Sequence, residues 1–134
     1  NMILWSKIGS KTDLAIYKVI IVDLVGILAD LYQYADVVYL GGGFSNGLHN
    51  IAEPFVYKKP LVIGPKHAKF PEANRLSKEA FCKVVTTVKE IFPAVESLLN
   101  EDYKQEIEKT YQEIFTNAKS SVSQIVKYIS ETIE

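Results

Sequence analysis

Five short apolar runs recur along the chain, separated by longer segments in which polar and apolar residues mix. Each run is rich in β-branched or aromatic residues and is too short for a typical helix, so we predict five strands. They are Met2–Trp5, Val19–Val22, Val37–Leu40, Leu61–Ile63 and Phe81–Val85. Near-continuous apolar runs are typical of parallel strands that are buried on both faces.

The segments between these runs carry apolar residues at helical spacing, which predicts helices on the connections. We expect them over Lys11–Tyr17, Ile27–Tyr34, Asn50–Tyr57, Pro71–Lys78 and a segment ending near Leu99. Pro93 lies inside the last pattern, so that helix either kinks at the proline or begins there. The alternation of strand and helix favours an α/β fold, a Rossmann-like doubly wound parallel sheet.

Residues 101–134 are predicted to form a helical tail on this domain. Its first part places five apolar or aromatic residues on one face, namely Tyr103, Ile107, Tyr111, Ile114 and Phe115. Its second part carries a further apolar stripe made of Val122, Ile125, Val126, Ile129 and Ile133. Stripes of this kind indicate helices that pack one face against other apolar surfaces.

Composition narrows the class of protein. With 134 residues and 48% hydrophobic residues, the chain suits a single domain with a packed core. Its net charge of −1 argues against a nucleic-acid binder. One cysteine, Cys82, excludes an internal disulfide and favours a reducing compartment. Because Asn1 precedes Met2 and a predicted strand follows at once, we expect residues 1–134 to be an excerpt of a longer protein.

A glycine-rich loop after the third predicted strand is the strongest functional signal. Gly41, Gly42 and Gly43 follow the strand directly, and Asn50 and Glu53 begin the next helix. In parallel α/β sheets, ligands bind at the carboxyl edge of the strands, where this loop lies. Glycines let the backbone approach a ligand, and N–H groups at a helix start attract anions. We therefore predict a binding site, although such glycines also occur where only a tight turn is needed.

Two familiar phosphate-binding patterns do not match this loop. The dinucleotide pattern G-x-G-x-x-G fails because Asn46 stands where its third glycine belongs. The phosphate-loop pattern fails because Leu48 and His49 replace its lysine and hydroxyl residue. The glycines alone therefore do not identify the ligand, and no cofactor is predicted.

Three residues near the start of the following helix are candidate ligand contacts. Glu53 is suited to accept hydrogen bonds from vicinal ribose hydroxyls, although an acid there also complements the helix dipole. Asn50 is a typical helix cap that would border an anion site. His49 and Glu53 are spaced like metal ligands, but only one further histidine, His67, is present. We predict no metal site.

The combination of motifs over Met2–Ala80 resembles the 3-deoxy-D-manno-octulosonic acid (Kdo) transferases. The matching positions are Asp23, Gly26, Leu28, Leu31-Tyr32, Ala35-Asp36, Gly41 to Gly43, Gly47, His49-Asn50, Glu53 and Gly64-Pro65. The triple glycine followed by Phe44 is similar to a variant in Bacteroidetes-like members. The C-terminal helices match this family only in their pattern.

The resemblance implies the C-terminal, donor-binding half of a two-domain, B-type glycosyltransferase. Such an enzyme moves Kdo from CMP-Kdo to a lipid A precursor in lipopolysaccharide core synthesis, at the cytoplasmic face of the bacterial inner membrane. The family's catalytic base is an acid of the N-terminal domain, so no catalytic residue is assigned in this chain. The acceptor and any membrane contact are likewise expected to belong to the rest of the enzyme.

The resemblance also implies particular donor contacts. Ser6 and Lys7 would lie near the donor phosphate, although an ordinary polar loop explains them equally well. The backbone of Gly26 and Ile27 would read the cytosine edge, without a side-chain contact, because the family usually has Glu at position 27. Asn50 and its neighbouring N–H groups would contact phosphate. Glu53, His49 and the three glycines complete the expected donor site.

Two alternatives remain open from the sequence. The first is another nucleotide-sugar transferase domain, for example one that uses a UDP-sugar. The second is a non-catalytic doubly wound regulatory module such as a signalling receiver. A receiver would need several acids at strand ends, whereas Asp23 and Asp36 lack a third partner.

Overall fold

The computed structural model describes residues 1–45 and 47–132, without the side chains of residues 119–122 and 124–132. Helix α5 spans Glu101–Thr132 and therefore covers most of the predicted tail. The expected apolar stripe of Val122, Ile125, Val126, Ile129 and Ile133 lies outside the described residues and side chains.

Five parallel strands are distributed over two sheets. The first pairs β1 (Met2–Leu4) with β2 (Val19–Ile21), and the second has the order β3 (Val38–Leu40), β4 (Leu61–Ile63), β5 (Cys82–Val84). Every strand falls within a predicted apolar run. The predicted α/β class with parallel strands is confirmed. No strand pairing joins the two sheets within the described part of the chain.

Each strand from β2 onward is followed in the chain by a short helix. They are α1 (Leu28–Leu31), α2 (Ala52–Val56), α3 (Pro71–Leu76) and α4 (Ile91–Leu99). A 3-10 turn, Tyr32–Tyr34, continues α1, so the predicted helix over Ile27–Tyr34 is present in two parts. Pro93 is the third residue of α4, where its lack of an N–H leaves no helical hydrogen bond unmade. The helix therefore begins before the proline.

The prediction of a helix over Lys11–Tyr17 is wrong. Only a 3-10 turn, Leu14–Ile16, forms there. The Asp13 carboxylate accepts a hydrogen bond from the N–H of Ala15 at 3.0 Å, and the Thr12 hydroxyl accepts one from the N–H of Gly9 at 2.9 Å. Such local side-chain bonds compete with helical hydrogen bonds and favour turns.

The core lies between the second sheet and the C-terminal helices. Leu61, Val62 and Ile63 of β4 are fully buried. Tyr111 of α5 stacks on Phe81 with ring centroids 4.3 Å apart, and its hydroxyl donates to the Lys59 carbonyl at 2.7 Å. This packing fixes β3 and β4, whose carboxyl ends carry the glycine loop and Gly64.

Cys82 belongs to this core as predicted. It is buried, and the burial raises the pKa of its thiol to about 12. A thiol with so high a pKa stays protonated near neutral pH and is a poor nucleophile. Within residues 1–45 and 47–132, no helix has the length and apolar character needed to cross a membrane.

Candidate functional site

The glycine loop turns sharply at the carboxyl end of β3. Gly42 has φ +82°, a left-handed conformation that favours glycine, and its carbonyl accepts from the Ser45 N–H at 3.0 Å. The Gly41 carbonyl accepts from the His49 N–H at 3.3 Å. A Cβ on Gly42 would lie 1.7 Å from the Gly47 carbonyl oxygen, so the turn has no room for a side chain.

Gly43 brings the loop against the end of β4. Its carbonyl accepts from the Lys66 N–H at 2.9 Å. A Cβ on Gly43 would lie 2.6 Å from the backbone nitrogen of Gly64, and one on Gly64 would lie 2.5 Å from the Gly43 carbonyl carbon. Two glycines therefore allow the carboxyl ends of β3 and β4 to meet backbone to backbone, which holds the loop at the sheet edge.

Asn50 and Glu53 form a hydrogen-bonded pair at the start of α2. The Asn50 side-chain oxygen accepts from the Ala52 N–H at 3.0 Å, while its side-chain nitrogen donates to Oε1 of Glu53 at 2.9 Å. The helix begins at Ala52, two residues later than predicted. Asn50 thus caps the turn that leads into α2 and at the same time orients the Glu53 carboxylate.

A cavity of about 590 Å³ opens beside this pair, within the size range of ligand pockets. Its polar end is formed by Gly41, His49, Asn50 and Glu53. Its other end is apolar and is lined by α1 and the outer edge of β3, with Leu28, Leu31, Tyr32, Ala35 and Val37 to Leu40. An apolar lining with a few polar groups at one place is typical of small-molecule binding sites.

Tyr32 is a lining residue that sequence reasoning missed. Its side chain is buried, and the pKa of its phenol is raised by desolvation and, to a smaller extent, by the negative charge of Glu53. The phenol therefore stays neutral and able to donate a hydrogen bond. Two signals were available: Leu31-Tyr32 is one of the positions that match the family pattern, and Tyr32 lies four residues after Leu28, on the same helical face.

Four of the ten predicted donor residues line the cavity, and six do not. Gly42 and Gly43 shape the loop behind it. Gly26 has φ +95° with open space around it, and Ile27 precedes α1. Ser6 and Lys7 lie on a 3-10 turn after β1. The donor roles assigned to all ten residues stay predictions, since lining a cavity does not show what it binds.

Ser6 makes a compact contact with Asp23 at the ends of β1 and β2. Its N–H donates to Oδ1 at 2.9 Å and its hydroxyl donates to Oδ2 at 2.5 Å. These two hydrogen bonds lower the pKa of the Asp23 carboxyl, with a smaller contribution from Lys7. The contact joins the carboxyl ends of the two strands and holds the Ser6–Lys7 loop in place.

We expect Ser6→Ala to raise the pKa of Asp23 toward its ordinary value, because the serine hydroxyl is the largest cause of the shift. Lys7→Ala is the matched control and should raise that pKa less, since the charge of Lys7 is the smallest contribution. An NMR titration of the Asp23 carboxyl carbon measures both. An unchanged pKa in Ser6→Ala would show that the hydroxyl does not bind the carboxylate in solution.

A basic loop follows Gly64 and is joined to the glycine loop by the hydrogen bond from the Lys66 N–H to the Gly43 carbonyl. Lys66, Lys69 and Phe70 line a second cavity of about 400 Å³ together with Ser45. His67 contacts the Gly64 carbonyl through Nδ1 at 3.2 Å. Among the described residues, no group of three or more His, Cys, Asp or Glu side chains is arranged to hold a metal ion.

Comparison with known proteins identifies several 3-deoxy-D-manno-octulosonic acid transferases, and also a bifunctional glycosyltransferase/methyltransferase of Fusobacterium nucleatum that is 29% identical over 112 residues. The chain is 36% identical over 105 residues to a 3-deoxy-D-manno-octulosonic acid transferase of Chlamydia muridarum, a match that covers 77% of this chain and 24% of that protein. It is 34% identical over 92 residues to the enzyme of that name from Haemophilus influenzae, covering 66% and 22%. No protein-family model matches. The chain thus spans about a quarter of the relatives' length.

A solved structure has the same fold. It is the C-terminal CMP-Kdo binding domain of WaaA from Acinetobacter baumannii, with a TM-score of 0.63 and 24% identity. The match covers 72% of this chain and 52% of that one. At this level of identity the similarity shows the fold of the domain and does not identify its ligand.

Proposed function

Because the chain belongs to the family of Kdo transferases, we propose that it binds the CMP-Kdo donor of such an enzyme. In this proposal residues 1–134 are one nucleotide-sugar-binding domain of a longer protein, with residues 101–134 as a helical tail. The whole enzyme would transfer Kdo to a lipid A precursor at the cytoplasmic face of the inner membrane. Its acceptor site, catalytic base and membrane contact would lie in the other domain.

The observation that carries the proposal is the orientation of Glu53 at the polar end of the 590 Å³ cavity. The Asn50 side-chain nitrogen donates to Oε1 of Glu53. Among the described residues no group donates to Oε2 of Glu53. Glu53 is half-buried beside Gly41, where the backbone leaves room for a ligand. A fixed carboxylate with an unused oxygen is well suited to accept hydrogen bonds from the two ribose hydroxyls of a nucleotide.

The rest of the cavity is consistent with the remaining parts of a nucleotide. The apolar wall of Leu28, Leu31 and Tyr32 offers a surface for the base. The glycine loop brings backbone close to the position that a phosphate would take next to the ribose. Since α2 has only five residues, we assign the phosphate mainly to the backbone of this loop and to Asn50 rather than to the helix dipole.

The chemical contribution of this domain would be electrostatic. When the bond between Kdo and CMP breaks, negative charge develops on the departing phosphate. Backbone dipoles of the glycine loop, preorganised by the bonds to Ser45, His49 and Lys66, would stabilise that charge. The Lys66 N–H donates to the Gly43 carbonyl, and the Lys66–Lys69 loop would attract the carboxylate of the sugar.

We expect Glu53→Ala to weaken CMP binding by about 1.5–3 kcal/mol, roughly 10- to 150-fold, the range for hydrogen bonds to a charged group. The free energy of unfolding should change by only about 0.3–1 kcal/mol, the contribution of an acid in a first helical turn. Isothermal titration calorimetry and denaturant unfolding measure the two quantities.

Glu72→Ala is the matched control, since Glu72 is the second residue of α3 just as Glu53 is the second residue of α2. It should show the same small loss of stability and no loss of CMP affinity. Equal CMP affinity in Glu53→Ala and the unchanged chain would contradict the ribose role and leave Glu53 as a helix-start acid.

A further inference from the structure

The C-terminal helix α5 is bonded to the chain segment that follows α2. Tyr111 of α5 is fully buried, and its hydroxyl donates to the Lys59 carbonyl at 2.7 Å. Burial raises the pKa of this phenol well above its ordinary value, so the hydroxyl stays protonated and able to donate. Removing a partner from a buried polar group is costly, so Tyr111 fixes the position of the Lys59 backbone.

The Lys59 backbone is bonded in turn to α2. Its N–H donates to the carbonyl of Pro54, a fully buried residue that directly follows Glu53. Together with a φ of +54° at Lys58, this hydrogen bond of 3.1 Å forms a Schellman motif at the end of the helix. With five residues, α2 is only about 7.5 Å long and moves as one piece. A displacement at Lys59 is therefore transmitted to Glu53.

Ring contacts join the same short helix to α5. Phe55 lies two residues after Glu53, so the two side chains point to different sides of α2. The centroid of the Phe55 ring lies 5.6 Å from that of Tyr111 and 5.3 Å from that of Phe115. One side of α2 thus packs on α5, while another side carries the carboxylate of the candidate site.

The Lys59 side chain extends this connection to the opposite wall of the cavity. Its ammonium group donates to the Gln33 carbonyl at 2.9 Å. Gln33 belongs to the 3-10 turn Tyr32–Tyr34, and Tyr32 lines the apolar end of the 590 Å³ cavity. Lys59 is therefore bonded to α2, to this turn and to α5, and the bond to α5 is the one that Tyr111 makes.

We propose that Tyr111 is a positioning residue for the Glu53 carboxylate and acts on it through Lys59 and α2. Tyr111 does not itself line the cavity. Without its hydroxyl, Lys59 loses its bond to α5, and α2 is free to shift relative to the glycine loop. The packing of α5 and the binding of a nucleotide are then coupled, and each strengthens the other. The inference rests on the proposed function only where it links the position of Glu53 to CMP affinity.

Helix α5 provides a matched pair of variants. The Tyr103 hydroxyl accepts a hydrogen bond from Nζ of Lys83 at 2.6 Å, which joins α5 to β5 instead of α2. This bond and the one from Tyr111 are both partly buried. Tyr111→Phe and Tyr103→Phe each remove one such bond and keep the aromatic ring. They therefore differ in the element that is released from α5.

The first measurement needs no ligand. The side-chain NH2 group of Asn50 donates to Glu53 at 2.9 Å, so its NMR signals report the position of the carboxylate. Tyr111→Phe should move these signals toward their positions in Glu53→Ala, which lacks the acceptor, and Tyr103→Phe should leave them in place. If Tyr111 only stabilised the fold, Tyr111→Phe would lower the melting temperature and leave the Asn50 signals of the folded chain unchanged. That result would overturn the proposal.

The second measurement is an NMR titration with CMP. Tyr111→Phe should weaken CMP binding by about 2- to 30-fold, the range for mutations that act through a contiguous network, and Tyr103→Phe should not weaken it. If the unchanged chain binds CMP, equal affinities of the two variants would overturn the positioning role and leave the proposed function standing. Displaced Asn50 signals in Tyr111→Phe, with no CMP binding by the unchanged chain, would support the positioning role and contradict the proposed function.

Discussion

The 134-residue chain is expected to transfer no Kdo to a lipid A precursor, even when CMP-Kdo and the acceptor are both supplied. In the proposed function the residues at the cavity hold the donor, whereas the catalytic base and the acceptor site lie in the other domain of the enzyme. Loss of a general base alone typically lowers a rate by about 10²–10⁴-fold. Loss of acceptor positioning as well should bring turnover below detection.

Mass spectrometry of the lipid measures this directly, with the full-length enzyme assayed under the same conditions as the control. If the chain alone transferred Kdo, the catalytic group would have to lie within it. Transfer that disappears in His49→Ala would then identify His49, an exposed side chain at the polar end of the cavity, as the base.

Gly43→Ala should both destabilise the domain and remove CMP binding. The added Cβ would lie 2.6–3.1 Å from three backbone atoms of Gly64, and backbone cannot move aside as a flexible side chain can. Overpacking of this kind costs about 1–3 kcal/mol, and here the strain falls on the loop that borders the nucleotide. Thermal unfolding and calorimetric titration with CMP measure the two effects.

Gly9→Ala is the matched control, because a Cβ there would meet only the Thr12 hydroxyl at 4.0 Å. It should leave the melting temperature and CMP affinity nearly unchanged. A Gly43→Ala protein with ordinary stability and ordinary CMP affinity would show that β3 and β4 do not approach each other as closely as the structure places them.

The strands were predictable from sequence because their signal is local. Runs such as Val19–Val22 and Leu61–Ile63 are apolar at every position, and no competing local pattern is present. The helix predicted at Lys11–Tyr17 failed because Thr12 and Asp13 bond their neighbouring N–H groups instead. The start of α4 was ambiguous from the sequence, because Pro93 suits the first turn of a helix as well as a kink within one.

The site was predictable from sequence only where its residues are neighbours along the chain. Asn50 and Glu53 are close in sequence, so their pairing follows from local geometry. The contact between Gly43 and Gly64 depends on the pairing of β3 with β4, which no local pattern specifies. The same holds for Tyr32, which lines the cavity because the 3-10 turn after α1 lies beside β3 in the folded chain.

The division of the strands into two sheets is also a tertiary property. The sequence predicts parallel strands but does not say which of them are neighbours. Here β2 and β3 follow one another in sequence and lie in different sheets.

An NMR titration of the isotopically labelled chain with CMP, and separately with UMP and NAD, tests the central claim most directly. CMP should shift the amides of Gly41, Gly42, Gly43, Asn50 and Glu53. We expect a dissociation constant of about 1 mM, or −4 kcal/mol, because in the proposed function part of the cleft is formed by the other domain. UMP and NAD should cause smaller shifts at the same concentration. Equal shifts with CMP and UMP would contradict the cytidine donor, and shifts confined to residues away from these five would contradict the site itself.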